Sequence, residues 1–94
     1  MLFTVIAYDK INHLEKRNEL RSKHLEFLES CGEKLKLAGP FLDDEGQPIG
    51  SLLIYEVENR AELEQLIKMD PYTEANLFEK IIINPWRLTK NNLN

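Results

Sequence analysis

The 94-residue sequence contains one cysteine, Cys31, so an intramolecular disulfide and a cysteine-based metal cluster are both excluded. Its apolar runs are far shorter than the roughly 20 residues that a membrane-spanning helix needs. The first residues lack a basic leader and reach an acidic side chain at Asp9, so we expect no signal peptide. Four glycines and four prolines are too few for a linker-rich chain. Together these absences predict a cytoplasmic protein with no membrane partner.

An excess of positive charge is also missing. Twelve basic and sixteen acidic residues give a net charge of −4, which argues against a nucleic-acid partner bound along its phosphates. The hydrophobic content of 43% and the charged content of 30% are typical of a globular protein. We expect one domain over residues 1–94, with a frayed tail at 89–94. A domain of this size buries a thin core, which oligomerisation would supplement.

Hydrophobic periodicity predicts the order of the secondary-structure elements. The predicted strands are 2–8, 35–41, 50–57 and 79–84, and the last can continue past Pro85 to Leu88. The predicted helices are 11–31, which ends before Gly32, and 60–69, which Pro71 halts, with a further helical turn at 72–76. Turn-forming residues occupy 43–48. This order predicts an α+β, ferredoxin-like βαββαβ fold, in which two helices cover one face of a four-stranded antiparallel sheet.

The predicted strands are apolar on both faces, although the helices of this fold cover only one. In the first strand Leu2 and Ile6 lie opposite Phe3 and Val5, and residues 81–83 are three consecutive isoleucines. The alternation of the second strand places Leu35, Leu37 and Gly39 on one face. An antiparallel sheet with one wet face should alternate more cleanly between apolar and polar residues. We therefore expect a homodimer in which a second copy covers the bare face.

Two ionisable residues fall where the helices should be apolar. On a helical wheel His24 lies in the middle of the apolar arc of the first helix, which Leu20, Phe27, Leu28 and Cys31 form. Asp70 lies at the centre of the apolar arc of the second helix. Since both helices cover the same sheet face, the two side chains could meet. A carboxylate on one imidazole nitrogen would fix its tautomer and leave the other nitrogen for proton transfer.

Structural roles compete with this interpretation. An inward histidine can be a hydrogen-bonded core residue, and Asp70 before Pro71 also fits the N-cap of a helix that begins at the proline. Capping and pairing are compatible. His13 fits a surface position and Cys31 a packing role, and the acidic run at 43–45 lacks the ligand spacing of a calcium loop. Phosphate-loop, zinc-protease and serine-hydrolase motifs are absent, so we expect neither a cofactor nor a metal.

Several short segments, in this order and spacing, resemble the YciI-like family, also called YCII-related or DGPF-type, over nearly the whole chain. The segments are Leu14-Glu15-Lys16-Arg17, Arg21-Ser22-Lys23-His24-Leu25, Ala38-Gly39-Pro40, Asp70-Pro71-Tyr72 and Asn84-Pro85-Trp86. The resemblance implies a ferredoxin-like fold that dimerises through its sheet faces into an α/β-barrel. It also implies a pocket centred on a histidine and an aspartate, which match His24 and Asp70.

The family also suggests a type of chemistry. Related dimeric barrels include muconolactone-isomerase-like proteins, and a dehydrochlorinase of a chlorinated hydroxyquinol has been assigned to this family. Such reactions move protons on small oxygenated molecules, and the comparison is an analogy at the level of the fold. Relatives often carry an Ala-Gly pair where this chain has Ala75-Asn76. Asparagine tolerates a left-handed backbone well, so we expect the turn to survive.

The sequence therefore supports two principal hypotheses. In the first, the chain is a proton-transfer enzyme of lyase or isomerase type, with His24 as general base or acid and Asp70 as its orienting partner. Arg21, the Gly39-Pro40 turn and Tyr72 are then substrate-binding neighbours, and the Arg21 guanidinium suits a carboxylate or phenolate. In the second, the chain is a non-enzymatic dimer that binds a small ligand or serves as an accessory subunit, and the pair is structural. A weaker third option is a regulatory partner of another protein.

Overall fold

The computed structural model describes residues 1–93, and Asn94, the last residue of the predicted tail, lies outside the described residues. The strands are β1 (Leu2–Asp9), β2 (Leu35–Leu42), β3 (Pro48–Glu56) and β4 (Phe78–Trp86). The helices are α1 (Leu14–Ser30), α2 (Arg60–Met69) and the short α3 (Pro71–Glu74), and a 3-10 turn over Gly32–Lys34 connects α1 to β2. Residues 87–93 form neither helix nor strand.

The four strands form one sheet in the order β2-β3-β1-β4, and every neighbouring pair is antiparallel. Leu63 of α2 and Leu28 of α1 pack into the same buried cluster as Phe3 and Val5 of β1. Both long helices therefore cover one face of the sheet. The predicted ferredoxin-like βαββαβ fold is confirmed.

Within residues 1–93 the opposite face of the sheet carries no helix. We call it the open face and define it by the strand residues that share it across the ladder: Leu2, Ile6, Leu37, Leu52, Ile54, Ile82 and Trp86. Side chains that alternate with these in β1 are fully buried under the helices, whereas Leu2 and Ile6 remain partly exposed. Residues 88 and 90–93 line a cavity of about 490 Å³ against this face. None of the helices within residues 1–93 has the length and apolar character needed to cross a bilayer.

The first helix begins three residues later than its periodicity predicts. Asn12 has a left-handed backbone with φ of 60°, which places residues 11–13 in a turn instead of a helix. At the other end, Gly32 has φ of +58°, as expected for the residue that follows a helix. The buried residues of α1 are Arg17 and His24, so this helix presents ionisable groups, not aliphatic ones, at its most enclosed positions.

The expectation that Leu35, Leu37 and Gly39 share one face is wrong. The β2–β3 register shifts between Leu35 and Leu37, so Leu35 pairs with Tyr55 and packs against the core under the helices. Leu37 pairs with Ile54 on the open face and is 44% exposed. An irregularity of this kind adds a residue to one strand and reverses the alternation beyond it. Strand periodicity alone cannot locate it.

The turns that position α2, α3 and the β2–β3 hairpin follow their sequences. Asn59 caps α2 by accepting a hydrogen bond from the Glu62 amide at 2.9 Å. In the hairpin the Asp43 carboxylate accepts from two backbone amides of the turn, as a solvated turn aspartate does. Asn76, where the resemblance leads us to expect a glycine, has φ of 59°. The predicted left-handed turn at this position is confirmed.

Candidate functional site

His24 of α1 and Asp70 of the α2–α3 junction form a buried hydrogen bond. Their Nδ1 and Oδ1 atoms are 2.8 Å apart, and the two residues are 7% and 4% exposed. The helical wheels predict that His24 and Asp70 both point towards the sheet. The fold places the two helices side by side on that face. The predicted convergence of the two side chains is present, and their chemical role stays a prediction.

Asp70 also caps the following helix. Its Oδ1 accepts a hydrogen bond from the Tyr72 amide at 3.0 Å, and Pro71 occupies the first position of α3. Both interpretations of Asp70, helix cap and histidine partner, are therefore realised by one carboxylate oxygen. An ionised carboxylate can only accept hydrogen bonds, so the proton of the His24 contact is carried by Nδ1. A neutral His24 then has Nε2 as a bare acceptor.

The Tyr72 ring fixes the plane of the imidazole. The ring centres of His24 and Tyr72 are 3.8 Å apart and their planes differ by 15°. Phe78 meets Tyr72 edge-on at 6.0 Å, so the tyrosine is itself held in place. Burial raises the pKa of the Tyr72 phenol above its ordinary value, which keeps the hydroxyl neutral and able to donate at physiological pH.

A second buried cluster lies beside Tyr72. Arg17 Nη1 donates to both carboxylate oxygens of Asp9, at 2.7 and 2.8 Å. Arg17 Nη2 donates to the Gly50 carbonyl at 3.0 Å and to Ser51 Oγ at 2.6 Å. The guanidinium carbon lies 4.7 Å from the centre of the Tyr72 ring. Arg17 is 4% exposed, and pairing of this kind is what allows a buried charge to be tolerated.

A cavity of about 410 Å³ opens between α1 and the β2–β3 hairpin, over both groups of residues. Its walls include five of the six predicted site residues: His24, Arg21, Gly39, Pro40 and Tyr72. The sixth, Asp70, does not line the cavity and reaches it only through the imidazole. Arg17 and Ser51 also line it. The volume suits a small organic molecule.

His24 Nε2 faces this cavity as an available base. Within residues 1–93 it has no hydrogen-bond partner. No fully buried side-chain nitrogen or oxygen in this part of the chain lacks a partner, so Nε2 is not sealed. The arrangement can therefore accept a proton from a bound molecule at Nε2 while Asp70 supports the charge from the other side of the ring.

Sequence reasoning gave no role to Arg17, Asp9 or Ser51. A signal existed for two of them. Arg17 falls near the centre of the apolar arc of α1, and Ser51 has the same parity in β3 as Leu53 and Tyr55, which point under the helices. The partnership of Arg17 with Asp9 across the end of β1 had no local signal, because it depends on how α1 crosses the sheet.

The remaining reactive groups are poor candidates for catalysis. Burial raises the pKa of the Cys31 thiol, so the thiolate that a nucleophile needs is disfavoured. Among the described residues no group of three or more His, Cys, Asp or Glu side chains is arranged to hold a metal ion. The chemistry of the cavity therefore centres on the imidazole, two guanidinium groups and two hydroxyls.

Comparisons with known proteins agree with the fold and the family expected from the sequence. The sequence pattern of the YCII-related domain matches residues 1–87. An uncharacterised protein of Haemophilus influenzae is 33% identical and protein YciI of Escherichia coli is 32% identical, each over 93% of this chain and 97% of the relative.

Solved structures of related proteins have the same fold. The 5-chloro-2-hydroxyhydroquinone dehydrochlorinase of Burkholderia phenoliruptrix, in complex with 2,5-dihydroxybenzoquinone, superposes with a TM-score of 0.86 and 33% identity over 93% of this chain and 94% of that chain. A conserved protein of Methanosarcina mazei shares the fold alone, with a TM-score of 0.56 and 19% identity over 93% of this chain and 94% of that chain. The resemblance inferred from the short segments is confirmed, and the chain belongs to the YCII-related domain family.

Proposed function

We propose that this chain is a cofactor-free enzyme of lyase or isomerase type, which moves a proton on a small oxygenated organic acid or phenolic compound. One observation carries the proposal. His24 Nδ1 is tied to Asp70, while Nε2 opens into a cavity of small-molecule size. A base held in one tautomer and one plane meets the geometric requirement for general acid–base catalysis.

The proposed reaction uses each atom of the pair differently. Nε2 takes a proton from the bound substrate, and Asp70 stabilises the imidazolium that forms, through the Nδ1 hydrogen bond. The same Nε2 then returns the proton to another substrate atom or to solvent. Positioned proton transfer of this kind contributes roughly 10²- to 10⁴-fold in rate.

Arg21, Gly39, Pro40 and Tyr72 form the proposed binding surface around this base. Arg21 is exposed at the rim of the cavity and has no ion-pair partner among residues 1–93, so its guanidinium is available for a carboxylate or phenolate oxygen. Gly39 and Pro40 form part of the β2 wall of this cavity. The neutral Tyr72 hydroxyl adds a donor.

The substrate class is supported by the solved relative at 33% identity, a dehydrochlorinase with a dihydroxybenzoquinone bound. A small ring with several oxygens suits a cavity that combines a base with two guanidinium groups. The apolar open face supports a homodimer that joins the sheet faces of two single-domain copies. The free Cys31 is typical of a reducing compartment, which supports the cytoplasm as the location.

The test is chloride release from 5-chloro-2-hydroxyhydroquinone by the wild-type chain and by His24→Ala. We expect the variant to lose at least 10²-fold in turnover and little stability, measured by thermal unfolding. A variant that turns over at the wild-type rate would contradict the proposed role of His24.

The second candidate function is a non-enzymatic ligand-binding or accessory dimer. It is favoured by the structural work that Asp70 already does as a helix cap. Wild-type chain that binds 2,5-dihydroxybenzoquinone but releases no chloride from the chlorinated compound would support this alternative.

A further inference from the structure

The Ser51 hydroxyl accepts a hydrogen bond, and its own proton has no partner among residues 1–93. Ser51 is 3% exposed and lies on β3, with its side chain under α1. Within residues 1–93 the Oγ atom has one partner, Arg17 Nη2, at 2.6 Å. A guanidinium group only donates, so Ser51 Oγ is the acceptor in this contact. The Ser51 hydroxyl hydrogen therefore points to something other than Arg17.

The position of Arg17 is held by several contacts, and this restricts the directions open to the Ser51 hydroxyl hydrogen. Both Nη nitrogens of Arg17 have partners, Asp9 for Nη1 and the Gly50 carbonyl and Ser51 for Nη2. The Tyr72 ring packs beside the guanidinium plane. Since Arg17 occupies a lone pair of Ser51 Oγ, the hydroxyl proton is turned away from it. A donor that itself accepts from a cation is polarised, which strengthens the bond it donates.

Ser51 and His24 line the same cavity, and the charge of that cavity differs from that of the chain. The chain has a net charge of −4, yet the described walls of the cavity contain two arginines and no aspartate or glutamate. Asp9 balances Arg17 from outside the cavity walls. The cavity therefore favours an anionic oxygen over a cationic group.

We propose that the Ser51 hydroxyl, oriented and polarised by Arg17, donates a hydrogen bond to an anionic oxygen of the substrate, of phenolate, enolate or carboxylate type. This inference rests on the proposed function and assigns it a binding residue. When His24 removes a proton from such a molecule, negative charge collects on its oxygen. A donor already aimed at that oxygen stabilises the charge without reorganisation. Ser51 is the binding residue, and Arg17 is a positioning residue that acts through it.

The experiment measures the affinity for 2,5-dihydroxybenzoquinone by titration calorimetry in wild type, Ser51→Ala and Ser51→Cys. Removing a hydrogen bond to a charged group should weaken binding about 10- to 100-fold in Ser51→Ala. Ser51→Cys keeps a similar shape with a weaker donor and should fall between the two. Ser22→Ala, which removes an exposed hydroxyl outside the cavity, should bind as wild type does.

Arg17 is tested in the same assay by a double-mutant cycle. Arg17→Lys keeps the positive charge but loses the planar guanidinium group whose Nη2 orients Ser51. It should therefore weaken binding of 2,5-dihydroxybenzoquinone when Ser51 is present. If Arg17 acts through Ser51, the same change should have little further effect in the Ser51→Ala background. A purely structural role of Arg17 would lower affinity equally in both backgrounds, and that result would overturn its assignment as a positioning residue.

The outcomes separate this inference from the proposed function. Unchanged affinity in Ser51→Ala, beside normal binding by wild type, overturns the role of Ser51 and leaves the proposed function intact. A wild-type chain without saturable binding overturns both the substrate class and the role of Ser51. If Ser51→Ala does not fold, the Ser51 amide signal of the wild-type chain is followed by NMR during the titration. A saturable shift supports the contact, and an unmoved signal at saturating ligand overturns it.

Discussion

His24 and Tyr72 stack face to face with 3.8 Å between their ring centres, and both are fastened to the same oxygen of Asp70. The imidazole is attached by its Nδ1 and the tyrosine by its backbone amide. The orientation of the base therefore depends on a stack and a hydrogen bond that share one anchor. Substitutions of Asp70 and Tyr72 can separate the effect of the hydrogen bond from that of the stack.

Replacing Asp70 by asparagine separates the cap from the charge. The amide oxygen of Asp70→Asn can still accept from the Tyr72 amide, so the cap and the stability should be nearly kept. The carboxylate that fixes the imidazole tautomer is lost, and turnover should fall by roughly 10²- to 10⁴-fold. Asp70→Ala should lose, in addition, about 0.5–2 kcal/mol of stability with the cap. Chemical denaturation and turnover of the two variants check this, and equal stability of both would contradict the capping role.

Replacing Tyr72 tests the stack. Tyr72→Phe keeps the ring over His24 and should retain the wild-type unfolding free energy to within about 1 kcal/mol. Tyr72→Leu removes the flat surface and leaves space beside the ring, which should cost about 2–4 kcal/mol. The imidazole ¹⁵N shifts of His24 should show the wild-type tautomer in Tyr72→Phe and a loss of the fixed tautomer in Tyr72→Leu. A leucine variant with wild-type shifts would show that the stack is dispensable.

Gly50 is a position where β1 and β3 leave no room for a side chain. A Cβ at Gly50 would collide with the backbone carbonyl of Ala7 and press on the Phe41 ring. We expect Gly50→Ala to lose about 1–3 kcal/mol in the free energy of unfolding. Gly39→Ala is the matched control, because a Cβ there meets nothing within 4 Å. Urea denaturation of both variants measures the difference, and an equal loss in the two would refute the steric explanation.

Buried Tyr55 predicts a loss of stability at alkaline pH. Burial raises the pKa of its phenol well above the ordinary value, so the folded state holds the proton that the unfolded state releases above about pH 10. The stabilisation is fully present below that pH and declines as the pH rises, by at most about 1.4 kcal/mol per pH unit. Tyr55→Phe removes this proton, and its unfolding free energy should decline less steeply between pH 10 and 11. The same slope in both proteins would show that Tyr55 does not contribute.

A charge on the open face should prevent the proposed homodimer. Ile6 lies at the middle of this face, opposite Leu52 on one side and Ile82 on the other. In Ile6→Lys a dimer would have to bury an ammonium group among these aliphatic side chains, which is strongly unfavourable. Sedimentation should give the mass of one chain for this variant and of two for wild type. Glu19→Lys, on the exposed side of α1, is the control with an added positive charge.

The sequence predicted the elements that follow a regular period. The helical wheel predicts that His24 and Asp70 point inward, because the period of 3.6 residues is a property of the helix itself. The predicted bounds of α2, 60–69, are those observed. The start of α1 was missed because the left-handed Asn12 interrupts the period over a single residue.

What the sequence could not show depends on contacts between distant residues. The face of Leu35 depends on a register shift against β3, which alternation within β2 cannot reveal. Arg17 and Asp9 form their ion pair because α1 crosses the end of β1 at a particular place. Arg17 in turn makes Ser51 Oγ a hydrogen-bond acceptor. This role cannot be predicted until the relative positions of β1, β3 and α1 are known.

The shared oxygen of Asp70 couples the order of α3 to the position of the His24 imidazole. Should the single turn of α3 unravel, the Tyr72 amide would leave Oδ1 and the aromatic platform beneath the imidazole would leave with it. A brief opening of four residues would thus release the imidazole that we propose as the base, while the sheet stays folded. Deuterium uptake at one backbone position, the amide of Tyr72, therefore reports how much of the time the proposed base is held in place.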